Sequence, residues 1–143
     1  MRNNNQRDEC RVLIVDDEKH FCFSASLALK RAGLYVRTAA NGRDALDVLV
    51  ESRKSGEDFD MVITDIVMPV MDGIELIDKM KQENLDIPIL VITGFLDTEY
   101  REALHVQGVS HTLEKPFMPD LLIERVKSIL KNEGRGSTGR LTA

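Results

Sequence analysis

Five polar side chains, spread over four separate places in the chain, have the types needed to handle a phosphoryl group: Asp16, Asp17, Asp65, Thr93 and Lys115. Carboxylates gathered in one place repel each other, so a cluster of Asp16, Asp17 and Asp65 calls for a cation. Hard oxygen ligands in this number suit Mg²⁺, which takes one or two protein carboxylates, waters and a substrate phosphate rather than a closed protein cage. Lysine brings a point positive charge and threonine a hydroxyl donor. An aspartate can itself be the nucleophile of phosphoryl transfer, forming an acyl phosphate. The metal and the lysine would then stabilise charge on the transferring oxygens, which is most of what a protein contributes to this reaction. Taken alone, Asp65 reads equally well as a cap on a loop or on the following helix; the chemistry depends on the other four reaching the same place.

What brings them together is the pattern of apolar runs that precede them. Met61-Val62-Ile63 is a buried strand leading to Asp65, and Pro69 with Asp72-Gly73 closes it in turn chemistry. Val12 to Val15 is a continuous apolar run ending in Asp16-Asp17-Glu18, as expected for a central strand covered on both faces. Leu34 to Ala39 is a short strand, Ile89 to Thr93 another apolar run, and His111 to Glu114 a fifth strand that delivers Lys115 before Pro116. Between them lie stretches with helical spacing. Glu18–Ala32 carries Phe21, Ala25, Ala28 and Leu29 on one side and stops at Gly33. A second helix follows Asn41-Gly42 with Ala45, Leu46, Val48 and Leu49, and a third covers Ile74–Met80. Thr98–Gln107 carries Tyr100, Ala103, Leu104 and Val106, and Pro119 opens a last helix with Leu121, Leu122, Val126, Ile129 and Leu130. Five strands alternating with five helices predict an α/β fold, a doubly wound parallel sheet with right-handed crossovers. The acids, the hydroxyl and the lysine then share the carboxyl edge of the sheet, where open α/β folds bind ligands.

The 143 residues suffice for one core. Residues 1–9 read as a polar leader, 10–131 as the domain, and 132–143 as a flexible tail or the start of a linker. With a formal net charge of −5, the chain lacks the basic face that non-specific binding to nucleic acid or anionic membranes needs. No stretch is apolar enough for a signal or a membrane span. Cys10 and Cys22 have neither disulfide-framework nor metal-ligand spacing and read as reduced thiols, in keeping with a cytoplasmic protein. His20, His105 and His111 have no ligand spacing, and Met61, Met68, Met71 and Met80 read as core filler. The absence of GxxxxGK[ST] and of a strand-linked GxGxxG argues against the usual nucleotide loops.

The ordered set Val15-Asp16-Asp17-Glu18, Thr64-Asp65-Ile66-Val67-Met68-Pro69 with Asp72-Gly73, Thr93-Gly94 and Lys115-Pro116-Phe117 resembles the receiver domain of two-component response regulators. The resemblance runs from about Cys10 to Lys131. It implies a flavodoxin-like sheet of order 2-1-3-4-5, with Asp65 as phosphoacceptor charged from a histidine kinase or a phosphotransfer protein. It further implies Mg²⁺ held by Asp17, Asp65 and the backbone carbonyl of Val67, with Asp16 helping through water, and Thr93 and Lys115 on the phosphoryl oxygens. The Lys115-Pro116 bond is expected to be cis, a form that proline makes accessible. Output is expected through protein contacts on the face formed by the fourth helix, the fifth strand and the fifth helix. The protein would take part in its own phosphorylation without being an enzyme that turns over a separate substrate.

One departure concerns the switch. The family usually has an aromatic residue three positions before the lysine, and here that position is Thr112. Transmission would then rest on Thr93 and loop movement, with Phe95, Tyr100 or His111 as candidates to take part. The apolar Val67, two residues past the acceptor, leaves the phosphoryl lifetime open. Two other readings remain: a haloacid-dehalogenase-like phosphatase, whose second Asp is replaced here by Val67, and an interaction module that binds without phosphotransfer. No effector sequence follows Lys131, so a lone regulator, a phosphoryl relay and a fragment of a longer regulator all fit.

Overall fold

Alternation along the strands decides the architecture. In β1 (Arg11–Val15), Val12 and Ile14 project into one apolar cluster while Leu13 and Val15 project into another, and all four are fully buried. A strand apolar on both faces must be covered twice, and helices do the covering. The computed structural model describes residues 9–94 and 97–133. They form β1, α1 (Lys19–Arg31), β2 (Tyr35–Ala39), α2 (Gly42–Lys54), β3 (Met61–Thr64), α3 (Gly73–Gln82), β4 (Ile89–Thr93), α4 (Thr98–Val106), β5 (Thr112–Glu114) and α5 (Pro119–Asn132). The strands are parallel in the order β2-β1-β3-β4-β5.

One face packs Ala25 and Leu29 of α1 and Leu122, Val126, Ile129 and Leu130 of α5 against the sheet. The other packs Ala45 and Leu49 of α2 and Leu76 and Met80 of α3. A third cluster joins Ile66, Ile77, Val91 and Leu104, with Tyr100 packed against it. Truncating a fully buried leucine such as Leu13 to alanine in such a core costs about 2–5 kcal/mol. At the amino edge of the sheet the Arg11 guanidinium lies 4.0 Å from the Tyr35 ring centroid and 4.9 Å from that of Phe59. This buried cation is stacked on aromatic faces, an arrangement its position at the head of an apolar run did not announce.

Several sequence expectations need correction. Glu18 is the N-cap of α1 rather than its first helical residue, and Leu34 lies outside β2, donating its N–H to the Leu29 carbonyl at 3.1 Å as the chain leaves α1. His111 precedes β5, though its carbonyl accepts from Val91 N at 2.9 Å. Val106 is 83% exposed and Leu121 37% exposed, so neither belongs to the core; the helical stripe of α4 buries only Leu104 fully. α5 runs through Asn132, one residue into the stretch assigned to the tail, and Glu133 caps it. The leader before Glu9 and the tail after Glu133 lie outside the described residues. Met61, Met68, Met71 and Met80 are buried as expected, and no described helix is long and apolar enough to cross a membrane.

The β3–α3 loop carries two opposite backbone constraints. A Cβ on Gly73 would meet the Asp65 carbonyl oxygen at 2.2 Å, and Gly73 N donates to the Ile66 carbonyl at 2.7 Å. Val70, three residues earlier, sits at φ +70 with its side chain exposed, a left-handed conformation that β-branched residues rarely adopt. Gly73→Ala is therefore expected to lower stability by about 3 kcal/mol, the upper range for forced overpacking. Val70→Gly should raise stability by about 0.5–1 kcal/mol, because the relieved left-handed strain exceeds glycine's extra chain entropy. Urea unfolding midpoints of the two variants check both signs.

Candidate functional site

The ladders of β1, β3 and β5 each continue one hydrogen bond past the strand end, and those bonds set the site. Asp16 N donates to the Ala39 carbonyl at 3.0 Å, Asp65 N to the Val15 carbonyl at 2.9 Å and Lys115 N to the Thr93 carbonyl at 2.9 Å. Neighbouring strands thus hand Asp16, Asp65, Thr93 and Lys115 to one edge in fixed register. The Lys115-Pro116 bond is cis. Phe117 meets Phe21 of α1 edge-to-face with centroids 5.9 Å apart, and the Lys115 ammonium lies 4.3 Å from the Phe21 centroid. The start of α1 and the turn into α5 therefore frame the lysine.

Lys115 Nζ donates to Asp16 Oδ2 at 2.8 Å, to Glu18 Oε1 at 2.9 Å and, at the long distance of 3.4 Å, to Asp65 Oδ2. Asp65 is pinned from its other side, where Oδ1 accepts from Ile66 N at 2.6 Å. Thr64 Oγ1 donates to the Asp65 carbonyl at 2.8 Å. Asp16 Oδ1 accepts from Glu18 N at 2.9 Å. Burial pushes the Asp16 carboxyl up from its ordinary value, against the pull of the Lys115 hydrogen bond and the Glu18 amide. For Lys115, burial works toward a lower pKa. Its hydrogen bonds to Asp16 and Glu18 outweigh that and hold the ammonium above the ordinary lysine range. The Lys115 cation is thus a fixed feature of the site.

Carboxylate oxygens of Asp16, Asp17 and Asp65 all lie within 4.8 Å of one another, with Asp16 buried, Asp65 half-buried and Asp17 exposed. Two acids of graded exposure opening to solvent beside a buried third is a donor set that fits a hard divalent cation keeping several of its waters. Val67 lies in the loop two residues past Asp65, its side chain 53% exposed. Thr93 is buried at the end of β4. All five of the side chains with phosphoryl-handling chemistry therefore belong to the same sheet edge.

The candidate switch residues lie elsewhere. Thr112 is half-buried in β5, paired in register with Val91, and its carbonyl accepts from Arg125 Nη1 at 2.9 Å. Tyr100 packs against the cluster of Ile66, Ile77, Val91 and Leu104. His111 is half-buried, and Phe95 lies outside the described residues. Two partners of the site escaped the sequence reading. Glu18 stood in plain view as a third consecutive acid, yet nothing in its spacing said that it would bend toward Lys115. Cys22, one turn into α1, donates its Sγ–H to the Asp16 carbonyl at 3.3 Å, and burial followed by the Asp16 charge pushes its thiol up to about 11. It therefore stays protonated at neutral pH, consistent with an unreactive reduced thiol.

A family profile described as the response regulator receiver domain matches residues 12–127. The transcriptional regulatory protein PrrA of Mycobacterium tuberculosis is 33% identical over 128 residues, covering 90% of this chain and 53% of that protein. The alkaline phosphatase synthesis transcriptional regulatory protein PhoP of Bacillus subtilis is 34% identical over 122 residues, covering 85% of this chain and 48% of that protein. The chain thus spans about half the length of the curated relatives it matches. Among solved structures, a CheY-like receiver domain protein of Methanospirillum hungatei superimposes with a TM-score of 0.78 at 27% identity, covering 92% of this chain and 99% of that one. The chemotaxis protein CheY4 of Vibrio cholerae gives 0.73 at 34% identity, over 85% and 99%. With the family profile spanning all but the first residue of the sheet and every site residue, the chain belongs to the response-regulator receiver family of two-component systems.

Proposed function

We propose that this domain accepts a phosphoryl group on Asp65 from a phosphohistidine of a histidine kinase or phosphotransfer protein. The observation that carries the reading is the meeting of Asp65 with Asp16, Asp17 and Lys115 at one sheet edge. A carboxylate oxygen of Asp65 attacks phosphorus, the P–N bond to the donor imidazole breaks, and the imidazole leaves with the bonding electron pair and takes up a proton. Mg²⁺, when bound, supplies charge neutralisation and holds a phosphoryl oxygen in place. Asp17, Asp65 and the Val67 carbonyl would hold it directly, and Asp16 through water. Lys115, kept protonated, donates to a phosphoryl oxygen, and the Thr93 hydroxyl donates to another. The Ile66 amide keeps the Asp65 carboxylate from rotating. Preorganised donors of this kind supply most of the stabilisation that phosphoryl transfer asks of a protein.

Such a domain modifies itself and turns over no separate substrate. Its output passes through protein contacts on the α4–β5–α5 face, where Thr112 stands at the aromatic position of the switch and Tyr100 packs on Val91 and Leu104 beneath. A cytoplasmic setting, without direct nucleic-acid or membrane contact by this domain, goes with that role.

Intact mass after incubation with acetyl phosphate and Mg²⁺ tests the reaction. The expected result is one added phosphoryl group on the wild type and none on Asp65→Asn or on a chelated control. An unmodified wild type would sink the phosphoacceptor reading in favour of a constitutive binding module. The metal site has its own test, because a ligand that binds only the folded state stabilises it, by about 2.7 kcal/mol at a hundred times its dissociation constant. Mg²⁺ should raise the melting temperature of the wild type and leave that of Asp17→Asn nearly unmoved. Without metal, Asp17→Asn should melt no lower than wild type, since the exposed Asp17 mainly adds repulsion.

A further inference from the structure

Three carboxylates take up the three N–H donors of the Lys115 ammonium, and they do so unequally. Asp16 is the anchored partner: its side chain is 0% exposed and its second oxygen already accepts from Glu18 N. Asp65 is the distant partner at 3.4 Å. Glu18 is the exposed one, with 66% of its side chain in solvent, yet it holds the ammonium at 2.9 Å. It occupies the N-cap position of α1 without capping the helix; its side chain makes no hydrogen bond to the first-turn amides. A helix entry usually recruits a short polar side chain to those amides. Here the longer carboxylate turns away from them and onto the lysine.

A phosphoryl group arriving on Asp65 needs one of those three donors. Releasing Glu18 is the least costly way to provide it, because water takes over an exposed carboxylate while nothing replaces Lys115 at the buried Asp16. Resting on the phosphoacceptor reading above, we propose that Glu18 is a positioning residue that holds Lys115 back from Asp65 in the resting domain and must yield it when the phosphoryl group arrives. The contact therefore sets how readily the domain is charged and how firmly it keeps the phosphoryl group.

Glu18→Gln tests this together with Glu18→Asp, which keeps the charge but is one methylene too short to hold Lys115 in the same way. Two readouts apply: the rate of phosphorylation by acetyl phosphate at saturating Mg²⁺, and the affinity for beryllofluoride with Mg²⁺, an inert mimic of the phosphoryl group. Both variants are expected to be charged about two- to five-fold faster and to bind beryllofluoride more tightly by a similar factor, the scale of releasing one exposed ion pair. Without metal, Glu18→Gln should melt lower than wild type by no more than the loss of one exposed ion pair, and Glu18→Asp should melt no lower than Glu18→Gln, since Glu18 caps nothing and aspartate at that position can. Glu18→Gln indistinguishable from wild type in both readouts overturns the proposal. So does Glu18→Asp that follows wild type while Glu18→Gln is faster, because the effect would then be charge acting through space and not a hold on Lys115. A wild type inert to acetyl phosphate and blind to beryllofluoride removes the phosphoacceptor reading itself, a result distinct from either.

Discussion

Mutual repulsion among the acids at the carboxyl edge is the constraint from which the rest of the site follows. Asp16, Asp17 and Asp65 bring their oxygens within 4.8 Å of one another, and Glu18 stands beside them. In the described structure one cation, Lys115, touches three of these four carboxylates. A lone ammonium cannot neutralise four acids, so the edge keeps an unbalanced negative charge that draws a divalent cation. The same imbalance keeps the lysine protonated and its donors engaged, so that when phosphoryl oxygens arrive the cation is already in place and no proton has to be found for it.

The sheet is what makes such a costly arrangement durable. Asp16, Asp17 and Asp65 are the first or second residues beyond β1 and β3, whose side chains are buried on both faces, Thr93 closes β4 and Lys115 follows β5, and the ladder extends to Asp16, Asp65 and Lys115 through backbone bonds to Ala39, Val15 and Thr93. Moving one acid away from its neighbours would mean slipping a parallel strand whose apolar residues fill both cores, at a cost of several kcal/mol per displaced side chain. Gly73 adds a local lock: its missing Cβ lets the chain fold back onto the Asp65 carbonyl, so the acceptor loop is held by a contact that only glycine permits. The tight Phe21–Phe117 pair does the same for the lysine from the opposite side.

The parallel sheet and the composition of its edge were legible because they rest on strong local signals, continuous apolar runs such as Val12–Val15 and Ile89–Ile92, each ending in a polar residue, whereas the strand order came from the family resemblance. What stayed illegible was set by three-dimensional neighbours. Val106 and Leu121 have the right type for a helical core stripe, but α4 turns only Leu104 fully inward, and α5 turns Leu122 rather than its neighbour Leu121 into the core, so both are left exposed. Glu18 read as helix because it precedes an amphipathic stretch, whereas its side chain is drawn out of the helix register by a lysine 97 residues away. Arg11 looked like a boundary residue, and only the pairing of β1 with β2 brings Tyr35 beside it. Long-range electrostatic and aromatic contacts of this sort have no periodicity, so one sequence does not display them.

The central claim is chemical and names one atom set: the carboxylate of Asp65 becomes an acyl phosphate. Borohydride reduces an acyl phosphate to an alcohol and leaves ordinary carboxylates alone, so treatment after charging with acetyl phosphate and Mg²⁺ converts only the modified aspartate to homoserine. Peptide mapping should then find homoserine at position 65 and at no other acid. Conversion at Asp16 or Asp17 instead, or at no position while the domain is folded and Mg²⁺ is bound, would contradict the account.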